Sequence, residues 1–139
     1  MFRHPQINTY AQDVEITVRF YTEQLGFVET FRTPRSGPPD HVEVQLEGLV
    51  LGFASIEAAR RDHGLDVEAG PKQAEVSLWT DDVDTEFERL VASGAPVLSP
   101  PHEFEVNVSG RLRVAWIADP DGGAVQLVMK APVAAAASR

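Results

Sequence analysis

Apolar residues recur along the chain with two spacings, one typical of helices and one typical of strands. The helical spacing occurs twice, first at Val14, Val18, Tyr21 and Leu25 and then at Val83, Phe87 and Leu90. An aspartate, Asp13 or Asp82, precedes each run, and this residue type caps helix N-termini. A glycine, Gly26 or Gly94, follows each run, as is common where helices end. The pattern therefore predicts two helices of similar design.

Short alternating or β-branched runs before and after these helices predict strands. In the first half they span 6–10, 27–31, 41–46 and 49–54, and in the second half 74–80, 96–98, 112–118 and 124–129. Two proline-bearing segments, 33–40 and 99–107, are expected to be loops, and 56–71 is expected to contain at most one helical turn. The Asp-Pro-Asp-Gly-Gly run at 119–123 predicts a hairpin turn between the last two strands.

The two halves of the chain repeat with an offset of 69 positions, so that Asp13–Glu15 corresponds to Asp82–Asp84 and Gln6 corresponds to Glu75. Each half is therefore predicted to be a βαβββ module, and the fold class is α+β. A single helix on a four-stranded sheet leaves the other sheet face uncovered, so we expect the two open faces to form a cleft. The predicted division is module 1 at 1–58, a linker at 59–72, module 2 at 73–130 and a flexible tail at 131–139.

Composition narrows the classes of function that the chain can have. None of the 139 residues is cysteine, which excludes disulfides, thiolate metal sites and a cysteine nucleophile. The net charge of −9 argues against nucleic acid and anionic membrane as partners and favours a neutral or cationic ligand. No apolar run is long enough to span a membrane and the N-terminus lacks an apolar signal core, so we expect a cytoplasmic protein.

Three short motifs occur in a fixed order, namely Asp13 with Phe20-Tyr21 and Leu25-Gly26-Phe27, then Asp81-Asp82-Val83-Asp84, then Asp119-Pro120-Asp121-Gly122. Together with the βαβββ repeat, they make residues 1–130 resemble the vicinal-oxygen-chelate superfamily. That superfamily includes glyoxalase I, extradiol dioxygenases, fosfomycin-resistance enzymes and bleomycin-resistance proteins. The resemblance implies two modules around a ligand cleft and a homodimer.

Metal-bearing members of that superfamily take ligands from the first and last strands of each module. The resemblance puts these positions at Gln6, at Leu51 or Gly52, at Glu75 and at Gln126. One carboxylate with two carboxamides is a poor donor set for Zn²⁺, Ni²⁺ or Fe²⁺. We therefore expect no resident metal and no other cofactor, with a divalent metal on Gln6, Glu75 and Gln126 as the alternative.

Strand alternation predicts which side chains line the cleft. The expected ligand-binding residues are Gln6, Asn8, Tyr10, Leu51, Phe53, Glu75, Ser77, Trp79, Val114, Trp116 and Gln126. Planar rings stack on tryptophan, and a cationic group gains from cation–π contact and from the Glu75 carboxylate. These residues favour a metal-free protein that binds and sequesters a flat antibiotic or metabolite, neutral or cationic, as bleomycin-resistance proteins do.

Two other interpretations stay open. A glyoxalase- or lyase-type enzyme would use the divalent metal, or would use Glu75 as a general base. A structural dimer with a vestigial cleft would instead bury Trp79 and Trp116 as core. No residue is predicted to be a catalytic nucleophile, because the serines lack a recognisable histidine–acid pattern.

Overall fold

The structure is a computed structural model that describes residues 1, 3–71, 74–107 and 110–133. The chain divides into two units, which we call unit 1 (Met1–Pro71 with Pro120–Gly122) and unit 2 (Lys72–Asp119 with Gly123–Arg139). Unit 1 contains β1 (Ile7–Ala11), α1 (Val14–Arg19), a π-helical segment (Phe20–Gln24), β2 (Val28–Thr33), β3 (His41–Leu46), β4 (Leu49–Ser55) and α2 (Ile56–His63). Unit 2 contains β5 (Glu75–Trp79), α3 (Val83–Ala92), β6 (Val97–Asn107), β7 (Gly110–Ala118) and β8 (Ala124–Lys130).

Asp13 and Asp82 cap the first helix of each unit, as predicted. The Asp13 carboxylate accepts a hydrogen bond from the Ile16 backbone N–H at 3.1 Å, and the Asp82 carboxylate accepts one from the Thr85 backbone N–H at 3.1 Å. These bonds satisfy N–H groups that have no partner inside the helix. After α3 the chain turns through Gly94, whose φ of 105° lies in the left-handed region that favours glycine. The helix boundaries therefore follow from local sequence.

The two sheets have the same topology. Their strand orders are β1-β4-β3-β2 in unit 1 and β5-β8-β7-β6 in unit 2. In each sheet the first and last strands of the unit pair in parallel, and the other neighbours pair antiparallel. The predicted α+β class with two βαβββ modules is confirmed.

One face of each sheet packs under a helix and forms the apolar core. In unit 1, Phe53 on β4 is 1% exposed and its ring centroid lies 4.8 Å from that of Tyr21 in the π-helical segment. In unit 2, Arg113 on β7 pairs with Asp84 on α3, and the neighbouring Ile117 on the same face is fully buried. These contacts identify the helix-covered face of each sheet, and the alternate residues of each strand therefore lie on the open face.

The segment 99–107, predicted to be a loop, is instead part of the long strand β6. Its pairing with β7 shifts register between Ser99 and His102, where Pro100 and Pro101 occur. Proline lacks the N–H that a central strand needs, but β6 is an edge strand and tolerates it. The prolines therefore mark a bulge in a strand rather than a loop.

The segment 56–63 was expected to hold at most one helical turn but forms the eight-residue helix α2. Ser55 caps it by accepting a hydrogen bond from the Ala58 backbone N–H at 3.1 Å, and Gly64 ends it with a φ of 64°. The predicted module boundary at residue 58 falls inside this helix. Of the predicted tail at 131–139, residues 134–139 lie outside the described residues. Within the described ranges, no helix is both long and apolar enough to cross a membrane.

Candidate ligand-binding faces

The open face of the unit 2 sheet carries a row of polar and aromatic side chains, which we call the tryptophan face. Strand pairing places Ser77 beside Gln126 and Gln126 beside Trp116, so these three side chains lie in one row across β5, β8 and β7. Glu75 and Trp79 lie two residues to either side of Ser77 on β5 and therefore share its face. The sequence predicted all five to lie on one face of this module, and the strand register agrees.

Hydrogen bonds and ring stacking hold the tryptophan face together. The Trp116 indole N–H donates to Oε2 of Glu75 at 2.5 Å, and the Ser77 hydroxyl donates to Oε1 of Gln126 at 2.6 Å. The His102 ring stacks on Trp116 with centroids 6.1 Å apart and an interplanar angle of 26°. Nδ1 of His102 lies 2.8 Å from the carbonyl oxygen of Pro100. Because a carbonyl oxygen only accepts, that contact places a hydrogen on Nδ1.

The tryptophan face is open to solvent at its β5 edge. Trp79 is 65% exposed, and Glu75 and Ser77 are exposed as well, whereas Trp116 and Gln126 are half-buried. Next to Trp79 lies a cavity of about 570 Å³ lined by Trp79, Thr80, Asp81, Met129 and Lys130. Val114, also predicted to contact ligand, shares the face by register but is fully buried. Trp79 is therefore available to stack on a planar molecule.

The open face of the unit 1 sheet carries a different polar group of side chains, Gln6, Asn8, His41 and Glu43, which we call the Glu43 cluster. The Gln6 side-chain NH₂ donates to Oδ1 of Asn8 at 2.9 Å and to Oε2 of Glu43 at 3.1 Å. Nε2 of His41 lies 3.0 Å from the same Glu43 oxygen. Tyr10, two residues after Asn8 on β1, shares this face and is half-buried.

Gly52 makes room for the Glu43 cluster. It pairs with Asn8 on one side and with Glu43 on the other, so it lies at the centre of the row. A Cβ atom at this position would lie 2.1 Å from Oδ1 of Asn8 and 2.8 Å from Cε1 of His41. Any larger residue would therefore displace both side chains.

The Glu43 carboxyl has a pKa below its ordinary value. The hydrogen bond from Gln6 is the main cause, burial acts in the opposite direction, and the contact with His41 lowers the pKa further. Hydrogen bonds to a charged carboxylate favour that form over the neutral acid. Glu43 is therefore ionised at neutral pH.

Leu51 and Phe53, predicted to contact ligand, do not lie on the face of Gln6 and Asn8. Both are buried, and the Phe53 ring packs on Tyr21 beneath the helical layer. The expectation was wrong by one position along β4, because β1–β4 pairing sets Asn8 against Gly52 and Ile7 against Leu51. A shift of one residue in a strand moves every side chain to the other face.

Sequence reasoning missed Glu43 and His41 as site residues. The signal for them was present, since His41-Val42-Glu43-Val44 alternates polar and apolar residues and so places His41 and Glu43 on one face. Which face that was, and that Gln6 would reach Glu43 across β4, followed only from the pairing of β1, β4 and β3.

Residues 3–127 match the family model of the Glyoxalase/Bleomycin resistance protein/Dioxygenase superfamily. The chain belongs to this superfamily. A search of curated protein sequences finds no significant match.

Several solved structures share the fold of this chain. A glyoxalase-related enzyme from Fulvimarina pelagi is 25% identical with a TM-score of 0.72, covering 91% of this chain and 88% of its own. TioX from Micromonospora sp. ML1 is 20% identical with a TM-score of 0.69, covering 91% of this chain and 98% of its own. A glyoxalase/bleomycin resistance protein/dioxygenase from Nocardioides is 23% identical with a TM-score of 0.69, covering 92% of this chain and 85% of its own.

The positions that hold metal in other members of the superfamily do not form a suitable donor set in this chain. The fourth-strand position falls either on Leu51, which is in the core, or on Gly52, which has no side chain. Gln126 is a neutral carboxamide whose oxygen accepts from Ser77, and Oε2 of Glu75 accepts from Trp116. Within the described ranges, no group of three or more His, Cys, Asp or Glu side chains is placed to hold a metal ion. We therefore derive no chemistry through a metal at the superfamily's positions.

Proposed function

We propose that the protein binds a planar aromatic cation, an antibiotic or a metabolite, on the tryptophan face and sequesters it unchanged, with no metal required. The observation that carries this proposal is the Glu75 carboxylate held at the edge of the Trp116 indole by an N–H···O bond of 2.5 Å. That arrangement puts a negative charge beside an aromatic surface. It suits a ligand that combines a flat ring with a positive charge.

One oxygen of the Glu75 carboxylate is available to bind a ligand. Only Oε2 has a hydrogen-bond partner among the described residues, so Oε1 is available to a ligand N–H group. Trp79, four residues along β5, offers a second ring on the same face, and this one is exposed. The net charge of −9 adds a general attraction for cations.

Tryptophan fluorescence tests the proposal directly, because the chain has two tryptophans and each can be replaced separately. The probes are proflavine, a planar cation, and phenazine, a planar neutral ring. In the Trp79→Phe variant all tryptophan emission comes from Trp116, and we expect proflavine to quench it. Trp116→Phe should weaken proflavine binding by about tenfold or more, the effect of losing about 1.4 kcal/mol of stacking and hydrogen bonding.

The charge of Glu75 is tested by Glu75→Gln, with Glu105→Gln, which removes an exposed acid from β6, as the matched control. Glu75→Gln should weaken proflavine binding and leave phenazine binding unchanged, while the control should change neither. Chelation by EDTA should leave affinity unchanged, and the dye should be recovered chemically intact. Absence of Trp116 quenching, loss of binding after chelation, or an equal effect of Glu75→Gln on both dyes would contradict the proposal.

A second candidate is a glyoxalase- or lyase-type enzyme in which Glu75 acts as general base. Glu75 is exposed and, among the described residues, only its Oε2 has a hydrogen-bond partner, which favours this candidate because a base needs an accessible oxygen. Glu75→Gln would then abolish turnover of a carbonyl substrate while leaving its binding nearly intact. Loss of binding with no turnover by the wild-type protein would exclude this role.

We also propose that the protein is a cytoplasmic homodimer. Exposed apolar side chains on the edge strand β6, namely Val97, Leu98, Phe104 and Val106, support self-association. Light scattering coupled to gel filtration should give twice the chain mass of 15.2 kDa. A monomer at micromolar concentration would contradict the dimer.

A further inference from the structure

The Glu43 cluster of unit 1 takes no part in the binding proposed for the tryptophan face. Its Gln6 carboxamide NH₂ bridges two oxygens, Oδ1 of Asn8 at 2.9 Å and Oε2 of Glu43 at 3.1 Å. Nε2 of His41 lies 3.0 Å from the same Glu43 oxygen. Oε2 of Glu43 thus contacts both the Gln6 NH₂ group and Nε2 of His41, and the Asn8 amide oxygen contacts the same NH₂ group.

We propose that a divalent transition-metal ion can replace that NH₂ group and the hydrogen on Nε2 of His41, bound by Nε2 of His41, Oε2 of Glu43 and Oδ1 of Asn8. Binding releases the Nε2 proton to water or moves it to Nδ1, because a metal-bound imidazole nitrogen carries no hydrogen. Imidazole and carboxylate together are ligands that Zn²⁺, Co²⁺ and Ni²⁺ accept, and water completes the coordination. The Gln6 carboxamide competes with the ion, because it occupies the position between the two oxygens.

The separation of the two stronger donors suits one ion. Donors at about 2.1 Å from a metal lie about 3.4 Å apart in a tetrahedral site and about 3.0 Å apart at right angles, as in an octahedral site. His41 and Glu43 are separated by 3.0 Å. Because they occupy alternate positions of β3, both point to the same face without strain.

The surroundings of the cluster also suit a cation. Glu43 contributes a carboxylate whose Oε2 is directed at both Gln6 and His41. Gly52 lies beneath the cluster, and its missing side chain lets Asn8 and His41 approach each other. Gly52 itself adds no side chain to this position.

This site differs from the one that the superfamily resemblance implies. His41 and Glu43 come from β3, which supplies no ligand in that resemblance, and Gln6 is a competitor here rather than a ligand. The site also departs from our sequence-based expectation of no metal, which rested on the ligand positions that the resemblance implies. Replacing Gln6 therefore distinguishes the two arrangements.

The test is titration of the purified chain with Zn²⁺ alone by calorimetry and with Co²⁺ alone by visible absorption. We expect one ion per chain, with about tenfold or greater loss of affinity in His41→Ala and in Glu43→Gln. Gln6→Ala should bind as tightly as wild type or more tightly. His63→Ala, which removes an exposed histidine of α2, is the matched control and should change nothing.

Gly52→Ala gives an independent check, because it removes no donor. Its Cβ would displace Asn8 and His41, so metal affinity should fall while the circular dichroism spectrum stays unchanged. Weakening by Gln6→Ala as large as that by Glu43→Gln would overturn the proposal, and so would absence of binding to both wild type and Gln6→Ala. Proflavine quenching in the same variants reports the tryptophan face separately, so failure of one proposal leaves the other measurable.

Discussion

Unit 1 and unit 2 each place a hydrogen-bonded pair across the same three strands, but the donor and acceptor are exchanged. In unit 1 the pair is Gln6, the donor directly before the first strand, with the Glu43 carboxylate on the third strand. In unit 2 it is the Trp116 indole, the donor on the third strand, with the Glu75 carboxylate on the first. The repeated topology therefore preserves the position of the pair and not its chemistry.

The strand between the two partners decides what lies above it. In unit 1 that strand supplies Gly52, so Asn8 and His41 extend over the open position. In unit 2 the corresponding position is Gln126, which fills the space and accepts from Ser77. The residue at this one position therefore distinguishes the two rows: glycine lets neighbouring polar side chains cover it in unit 1, and Gln126 occupies it in unit 2.

The helix-covered faces of the two units are more alike, because both are apolar and buried. Truncating a side chain there should cause the largest loss of stability. Phe53→Ala should lower the free energy of unfolding by about 3–5 kcal/mol, because it leaves a cavity beside Tyr21. Leu127→Ala at the corresponding position of unit 2 should cost about 2–5 kcal/mol. Urea unfolding measures both. A cost near that of the exposed control Trp79→Ala would show that Phe53 lies on the open face after all.

The helix caps offer a matched pair with a smaller effect. Asp13→Ala should cost about 1 kcal/mol, the usual value for losing an N-cap. Asp82→Ala should lower the melting temperature at least as much, because the Thr85 hydroxyl also donates to this carboxylate at 2.7 Å. Thermal unfolding compares the two variants. If one substitution proves neutral, the caps are not equivalent and the two units differ in their framework too.

Each unit also pairs a helix acid with a strand arginine, and this predicts a pH dependence. Arg113 lowers the pKa of Asp84 from its ordinary value of 3.8, chiefly through its hydrogen bond. A lowered folded-state pKa adds stability above the unfolded value, and that stability is lost as the pH falls through the folded value. Arg113→Met should therefore cost about 0.5–1 kcal/mol at pH 7, a small effect because the pair is partly exposed.

The cost of Arg113→Met should shrink towards zero as the pH is lowered from 4, as measured by urea unfolding at a series of pH values. Arg32→Met provides the comparison in unit 1, where Arg32 lowers the pKa of Glu15. The same trend is expected there. A cost that stays constant down to the lowest pH would assign the effect to packing of the arginine stem instead of charge.

The smallest effect is expected at the hairpin turn of unit 1. Glu47 has a φ of 49°, in the left-handed region, whereas unit 2 uses Gly122 with a φ of 82° in its corresponding turn. Glu47→Gly should therefore stabilise the protein by about 0.5 kcal/mol. Urea unfolding measures the gain, and Gly122→Ala should change stability in the opposite direction. A loss of stability in Glu47→Gly would mean that the Glu47 side chain contributes more than its backbone strain costs.

Local sequence signals correctly predicted the structure at positions where a single residue type determines the backbone conformation. Asp13 and Asp82 predicted where helices begin, and the Asp-Pro-Asp-Gly-Gly run predicted the turn after β7. Local signals failed at β6, where Pro100 and Pro101 predicted a loop. Proline disfavours a central strand but is accepted in a strand at the edge of a sheet. Whether a strand is an edge depends on its neighbours and not on its own residues.

The sequence by itself determined the superfamily, the α+β class and the repeated order of strands and helices, because apolar spacing and capping residues act over a few positions. It also placed the residues of the tryptophan face together, since they alternate along β5, β7 and β8. Only the tertiary structure decided that Gly52, and not Leu51 or Phe53, lies between Asn8 and Glu43. The physical reason is that strand register joins residues far apart in the chain, and a shift of one residue exchanges the core face with the open face.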